Sequence, residues 1–117
     1  MHDLKWSASE KTIARRAYEA ALETVLAGIM SEFKARAAAA ATSSDMWAVE
    51  DYLRRRRREV DDMFDYRYSR LLFIFAQLID AGHLDGARLA GLSEEKLAII
   101  RSILSRSVSA RRRGGVA

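Results

Sequence analysis

Five consecutive arginines, Arg54 to Arg58, follow a tryptophan, Trp47, and run into an acidic stretch, Asp61, Asp62 and Asp65. These are side chains for recognising charge and flat surface rather than for making or breaking bonds. A guanidinium is a planar fork that pairs with a carboxylate through two parallel hydrogen bonds and tolerates partial burial. An indole is a favoured anchor at protein interfaces. On a helix, five successive positions sweep through more than one turn, so some guanidiniums point toward any buried side. A small helical domain hides such groups poorly. A subunit interface or a partner protein can pair them.

Catalytic constellations do not emerge. No nucleophile–base pair, phosphate loop or metal cluster is legible. The chain has no Cys, which removes disulfides and thiolate ligands and fits a reducing compartment. His2 and His83 are far apart and make no metal site. Asp61, Asp62 and Asp65 are the right chemistry for a cation, but neighbouring arginines compete for them. The chain therefore reads as a non-enzyme without cofactor or metal.

Charge argues further. The formal net charge is +4, and Arg106, Arg111, Arg112 and Arg113 account for all of it. Between Asp45 and Asp65, seven carboxylates face the five arginines. A nucleic-acid surface needs unneutralised positive charge that can release counterions, so that partner is not expected. The N-terminus lacks the apolar run of a signal peptide. The longest apolar run, Leu71 to Ala76, falls far short of the roughly 20 residues that span a bilayer. No membrane association and a cytoplasmic location follow as expectations.

Long helices must position these residues. There is no Pro anywhere, so nothing forces an early stop. Ser7-Ala8-Ser9-Glu10 has the form of a capping box, with Trp6 ahead of it. Ile13, Ala17, Leu22, Val25, Leu26, Ile29, Met30 and Phe33 then recur at three- and four-residue steps. The first helix is predicted over about residues 8–41, roughly 50 Å long at 1.5 Å per residue. A compact chain of this size has a radius of gyration of only about 13 Å, so a self-complementary dimer along the apolar stripe is the simplest way to keep it dry. A second helix opens near Ser44, with Met46, Val49, Leu53, Val60 and Met63 on its apolar side and Arg56 where the pattern asks for an apolar residue. The helical pattern from 44 to 81 is compatible with a continuous, kinked or broken helix near 63–69. Leu71 to Ala76 is apolar all round, so burial on all sides is expected. Gly82 should stop it, a short turn is expected over 84–90, and Ser93-Glu94-Glu95 starts a last helix. The organisation expected is an N-terminal arm (1–7), one α-helical domain (8–105) and a basic disordered tail (106–117).

Two readings of Trp47 stand at this point: packing in a core or dimer, or an exposed anchor for a partner. The arginine run is either a solvated face held by local ion pairs or a pairing surface. Glu50 to Arg54 and Asp51 to Arg55 are acid-first pairs four residues apart. Arg57 has Asp51 and Glu50 as its natural partners. Six residues separate Asp51 from Arg57, so a bond across antiparallel subunits is more natural than one within the helix. Phe73 and Phe75, in their apolar run, read as core before site.

The order Asp45-x-Trp47-x-x-x-Asp51-x-Leu53, Arg57-x-Glu59-Val60-Asp61, Phe64-Asp65-Tyr66-Arg67-Tyr68-Ser69, Phe73-Ile74-Phe75-Ala76-x-Leu78, Gly91-Leu92 and Lys96-Leu97 resembles the fluorescence recovery protein family over about residues 6–104. The resemblance implies an all-α homodimer with a long two-helix stalk (about 8–63) and a small helical head (about 64–105). It implies binding to the photoactivated orange carotenoid protein of cyanobacteria, chiefly through that protein's C-terminal domain. Its return to the resting form is speeded and photoprotective quenching ends, with no cofactor held. The matching functional positions are Trp47, Asp51 and Arg57, with Phe73 in the head; Glu50 and Arg54 complete the expected dimer and partner surface. Glu50 stands where cyanobacterial members commonly carry His. Relatives also occur in bacteria without this quenching system, so an interaction module for another client is the alternative.

Overall fold

The computed structural model describes residues 4–114 and is all-helical, with no strand among the described residues. Helix α1 runs Ala8–Ala39, α2 Ser43–Met63, α3 Leu71–Asp80 and α4 Glu94–Gly114, with a 3₁₀ turn at Gly86–Leu89. His2 and the last three residues of the expected tail lie outside the described residues.

Each boundary has a local cause. At α1, the Ser7 hydroxyl accepts from the Glu10 N–H at 3.2 Å, and the Glu10 carboxylate accepts from the Ser7 N–H at 3.0 Å. At α2 the same reciprocal box forms: Thr42 Oγ1 accepts from the Asp45 N–H, and Asp45 Oδ2 accepts from the Thr42 and Ala41 N–H groups. Those backbone donors hold the Asp45 carboxyl below its usual range. Thr42→Ala removes one half of that box. It should cost about 1 kcal/mol of helix stability, read as a lower midpoint in a thermal circular-dichroism melt.

Helix α3 ends in a Schellman motif. The His83 N–H donates to the Leu78 carbonyl and the Gly82 N–H to that of Ile79, with Gly82 at φ 80°, a conformation that glycine adopts without steric cost. Helix α4 starts on Ser93, whose hydroxyl accepts from the Lys96 N–H at 3.3 Å.

The chain between α2 and α3 is broken, although no Pro or Gly lies there. Phe64 leaves the helix at φ −109°, ψ 84°. Asp65 then takes the Arg67 Nε–H on both carboxylate oxygens at 2.9 and 2.8 Å. The Arg70 N–H closes a turn onto the Arg67 carbonyl. The Arg67 N–H donates to the Asp65 carbonyl two residues back, a tight turn that takes the place of the helical bond.

The chain divides into two compact units, one of Leu22–Phe64 and the other of the segments on either side of it. The second unit has its core in α3, where Leu71, Ile74, Phe75 and Leu78 are essentially inaccessible, joined by Leu84, Leu89, Leu92 and Ile100. Ala14, Ala17 and Ala21 of α1 are buried in the same unit. These alanines fall on one helical line with Glu10. Of the expected stripe, Ala17 and Val25 are buried, while Ala14 and Ala21, not named in it, are buried as well, because helices approach most closely where side chains are short. Gly91, at φ +102°, sits where a Cβ would come 2.6 Å from Ile13 Cδ1.

One buried ion pair ties this unit together. Lys96, only 4 % exposed, donates from Nζ to the Lys5 carbonyl at 2.6 Å and to Glu10 at 3.2 Å. Glu10 also accepts from the Ser93 N–H at 2.8 Å. The carboxyl is held down at about 2 by its bonds to the Ser7 and Ser93 backbones and then by Lys96. One carboxylate thus caps the first helix and fastens it to the start of the last.

Two expectations are corrected here. Leu71 to Ala76 is not buried on all sides, since Phe73 is 43 % exposed; a ten-residue helix has one face left for solvent, and position 73 falls on it. Residues 106–114 are helical rather than disordered. Nothing before Gly114 breaks a helix, and Arg111 donates to Asp80 at the end of α3.

Candidate functional site

Helix α2 carries five of the six candidate residues. Its inward side is set by buried Tyr52, with Val49, Leu53, Arg56 and Val60 half-buried. Trp47, Asp51, Arg54 and Arg58 recur at four- and three-residue steps on the opposite side and are all exposed. Trp47 is 57 % exposed, and Met46 beside it is exposed as well. Core packing of Trp47 within the chain is thereby excluded. In the same unit α1 leaves Leu26 and Met30 exposed one turn apart. Among the described residues, four of the seven large exposed hydrophobic ones thus fall between 22 and 64.

The arginine run resolves residue by residue. Arg54 pairs with Glu50 at 3.2 Å. Arg56 occupies the inward position, and its guanidinium is neutralised within one turn by Glu59. That local pair lets an arginine sit where an apolar residue was expected, because a long stem can lie on apolar surface while its head reaches a charge. Arg57 reaches no carboxylate among the described residues, and neither does Asp51 reach a cation. Within the chain the pairing of Arg57 with Glu50 does not form, since Glu50 holds Arg54; Asp51 is nearly two turns from Arg57.

Phe73 belongs to the other unit. It lies on the open face of α3, with the Arg70 guanidinium over its ring at 5.5 Å. Phe75, two residues on, is fully buried. The two phenylalanines thus separate into one surface residue and one core residue.

Sequence reasoning missed a second cluster. The break after α2 brings Tyr66 and Tyr68 against α1: the Tyr66 and Tyr18 rings meet edge-on at 4.8 Å, and Tyr68 stacks obliquely on Trp6 at 5.3 Å. Arg15 lies over the Tyr66 ring at 3.9 Å and Lys11 over Tyr68 at 5.6 Å. The only signal in the sequence is that Lys11 and Arg15 are one turn apart.

Among the described residues no group of His, Asp or Glu could hold a metal ion, and no helix is long and apolar enough to cross a membrane. The family described as "Photoprotection regulator fluorescence recovery protein" matches residues 6–104. A fluorescence recovery protein of Synechocystis sp. is 30% identical over 98 residues, covering 84% of this chain and 90% of its own. The solved fluorescence recovery protein of Fremyella diplosiphon superposes with a TM-score of 0.81 at 35% identity, covering 87% of this chain and 99% of its own. The solved Synechocystis protein superposes with the same TM-score at 30% identity, with the same coverage. The family match stops at residue 104, so the last turns of α4 lie beyond it.

Proposed function

The chain belongs to the fluorescence recovery protein family, and from that premise we propose that it is a homodimeric regulator of a photoactivated orange carotenoid protein. It binds that protein through its C-terminal domain and accelerates its return to the resting state, ending photoprotective quenching. It acts in the cytoplasm, without cofactor, as a binding protein rather than an enzyme. The observation that carries the reading is family membership combined with a tryptophan left 57 % exposed beside Asp51 and Arg57, which have no ion-pair partner among the described residues.

The mechanism is one of linkage. A binding protein favours one state of its client only by holding that state more tightly. To speed relaxation it must lower the barrier, so its tightest contact is with a partly closed form of the client. The surface formed by Trp47, Glu50, Asp51, Arg54 and Arg57 suits such contact, and first suits a second copy of the chain. A guanidinium without a carboxylate in its own subunit is a ready half of an intermolecular pair. Phe73 supplies an apolar contact from the other unit.

The test is direct. The purified protein, mixed with photoactivated orange carotenoid protein, should shorten the red-to-orange decay in darkness in proportion to its concentration. An unchanged decay at every concentration removes the client assignment. For the surface, Arg57→Leu should either shift the dimer toward monomer or weaken the client complex by about 30-fold or more, because truncating one side of a buried interfacial charge pair costs about 2–5 kcal/mol. A variant that is normal in both light scattering and pull-down places the contact elsewhere.

A further inference from the structure

Between the first turns of α1 and the segment after α2 lies a depression of about 440 Å³, walled by Tyr66 and Tyr68 and edged by Lys11, Arg15 and Arg16. Its volume falls within the range of about 300–1,000 Å³ that small-molecule clefts occupy. We propose that this tyrosine-walled basic depression binds a small molecule carrying a phosphate monoester. The reading is independent of the client assignment above.

Three observations point to that ligand. First, Arg15 is held but not used up. Its guanidinium stacks 3.9 Å from the Tyr66 ring centroid, which fixes the plane and leaves the N–H edges as a bidentate fork for a tetrahedral or planar anion. Glu19, the one carboxylate at the rim, stands 4.0 Å from Arg15 Nε, beyond hydrogen-bonding distance. Second, neither Lys11 nor Arg16 has an ion-pair partner among the described residues. Three cations against one carboxylate leave two positive charges, which match a phosphate monoester near neutral pH. Third, the Tyr66 hydroxyl is buried and makes no well-formed hydrogen bond among the described residues, with only the Tyr68 hydroxyl acting on it. Buried polar groups are normally satisfied, and a phosphate oxygen would satisfy this one. Burial also pushes the Tyr66 hydroxyl above its usual range, so it stays protonated and can donate. Tyr68, 40 % exposed, offers an edge or face to a ring carried by the ligand.

Inorganic phosphate, adenosine 5′-monophosphate, neutral adenosine and a short acidic peptide are titrated separately into the full chain at constant ionic strength, with amide chemical shifts and calorimetry as readouts. The monophosphate should saturate at sub-millimolar concentration, with shifts confined to residues around 11–19 and 64–70. Equal affinity for inorganic phosphate assigns recognition to the phosphate alone; tighter binding of the monophosphate assigns a share to the tyrosine wall. Either result supports the site. Arg15→Gln should weaken binding about tenfold, the size of a lost charge-assisted contact, and Tyr66→Phe by a smaller factor. Both variants are checked for an unchanged melting profile; Arg16→Gln serves if Arg15→Gln alters it. The proposal is overturned if neither phosphate saturates, if adenosine binds as tightly as its monophosphate, or if affinity survives in both arginine variants. Saturation by an acidic peptide alone would overturn it equally, by assigning the depression to a protein segment.

Discussion

Lys96→Met should destabilise the protein by about 3–5 kcal/mol, the range found when one partner of a buried ion pair is removed. For a chain of this size that is a fall in melting temperature on the order of 10–25 °C. The cause is not the lost attraction alone. Lys96 is 4 % exposed and Glu10 8 %, so the variant leaves a carboxylate buried with only the Ser7 and Ser93 N–H groups to solvate it. It also strands the Lys5 carbonyl that Lys96 Nζ satisfies. Glu10→Gln in the same background should recover part of the loss, because it removes the uncompensated charge and keeps an acceptor. The double-mutant cycle then gives a coupling energy that no surface pair of this protein can match. A loss of under about 1 kcal/mol for Lys96→Met would show that the pair is solvated in solution and would remove this account of how α1 and α4 are tied.

The same carboxylate sets an acid limit. Its folded pKa of about 2 lies below the ordinary 4.5. A depressed folded pKa means that the unfolded chain takes up the proton first as pH falls. The contribution of Glu10 is therefore complete above about pH 5 and is lost between about 4.5 and 2. Asp45 and Asp65 are also held below their usual range, so the wild type alone does not isolate Glu10. The difference between wild type and Glu10→Gln should narrow steadily across that window and be nearly flat above it. A difference that stays constant down to pH 2 would show that Glu10 keeps an ordinary pKa.

What the sequence shows and what it hides follow the range of the forces involved. The boxes at Ser7–Glu10 and Thr42–Asp45, the stop at Gly82 and the start at Ser93 depend on residues three to five apart. Each is written in one short stretch; the Ser7 box, the Gly82 stop and the Ser93 start formed as read, and the second helix, expected near Ser44, opens at Ser43 on the Thr42 cap. The second use of Glu10, as partner of Ser93 and Lys96, spans more than 80 positions, and nothing local announces it. Hydrophobic periodicity located the helices but misjudged which residues face inward. Ala14 and Ala21 are buried while Leu26 and Met30 are not, because periodicity weighs apolar size and close helix packing favours its absence. A break near 63–69 stood beside a continuous or kinked helix as an open alternative, because no Pro or Gly marks it and the tight turns at Asp65 and Arg67 that make it are not written as a motif. At the candidate site, the outward line of Trp47, Asp51 and Arg54 follows from spacing once Tyr52 is known to be inside. That knowledge came only with the fold. The separation of Phe73 from Phe75 was equally beyond a run in which every residue is apolar.

Leu26→Glu should convert a particle of twice 13.2 kDa into one of that mass, read by light scattering at low micromolar concentration. The expectation rests on the proposed dimer. Leu26 is 47 % exposed and Met30 52 %, and in a two-fold interface each substitution counts twice. Withdrawing a buried Leu contributes about 1.5–3 kcal/mol per copy, so the dimer should weaken by at least about 100-fold before any cost of the added charge. The isolated subunit should lose little, because an exposed position away from special contacts changes stability by no more than about 0.5 kcal/mol. A monomer that melts like the parent but no longer accelerates carotenoid-protein relaxation would make the dimer itself the binding unit. A monomer that still accelerates it would assign client contact to surface wholly within one subunit, with Trp47 as its anchor. If the mass stays doubled, the seam does not run over Leu26. The exposed Met46 and Trp47 of α2 would then have to carry self-association without α1, a much smaller apolar area than a stable dimer needs.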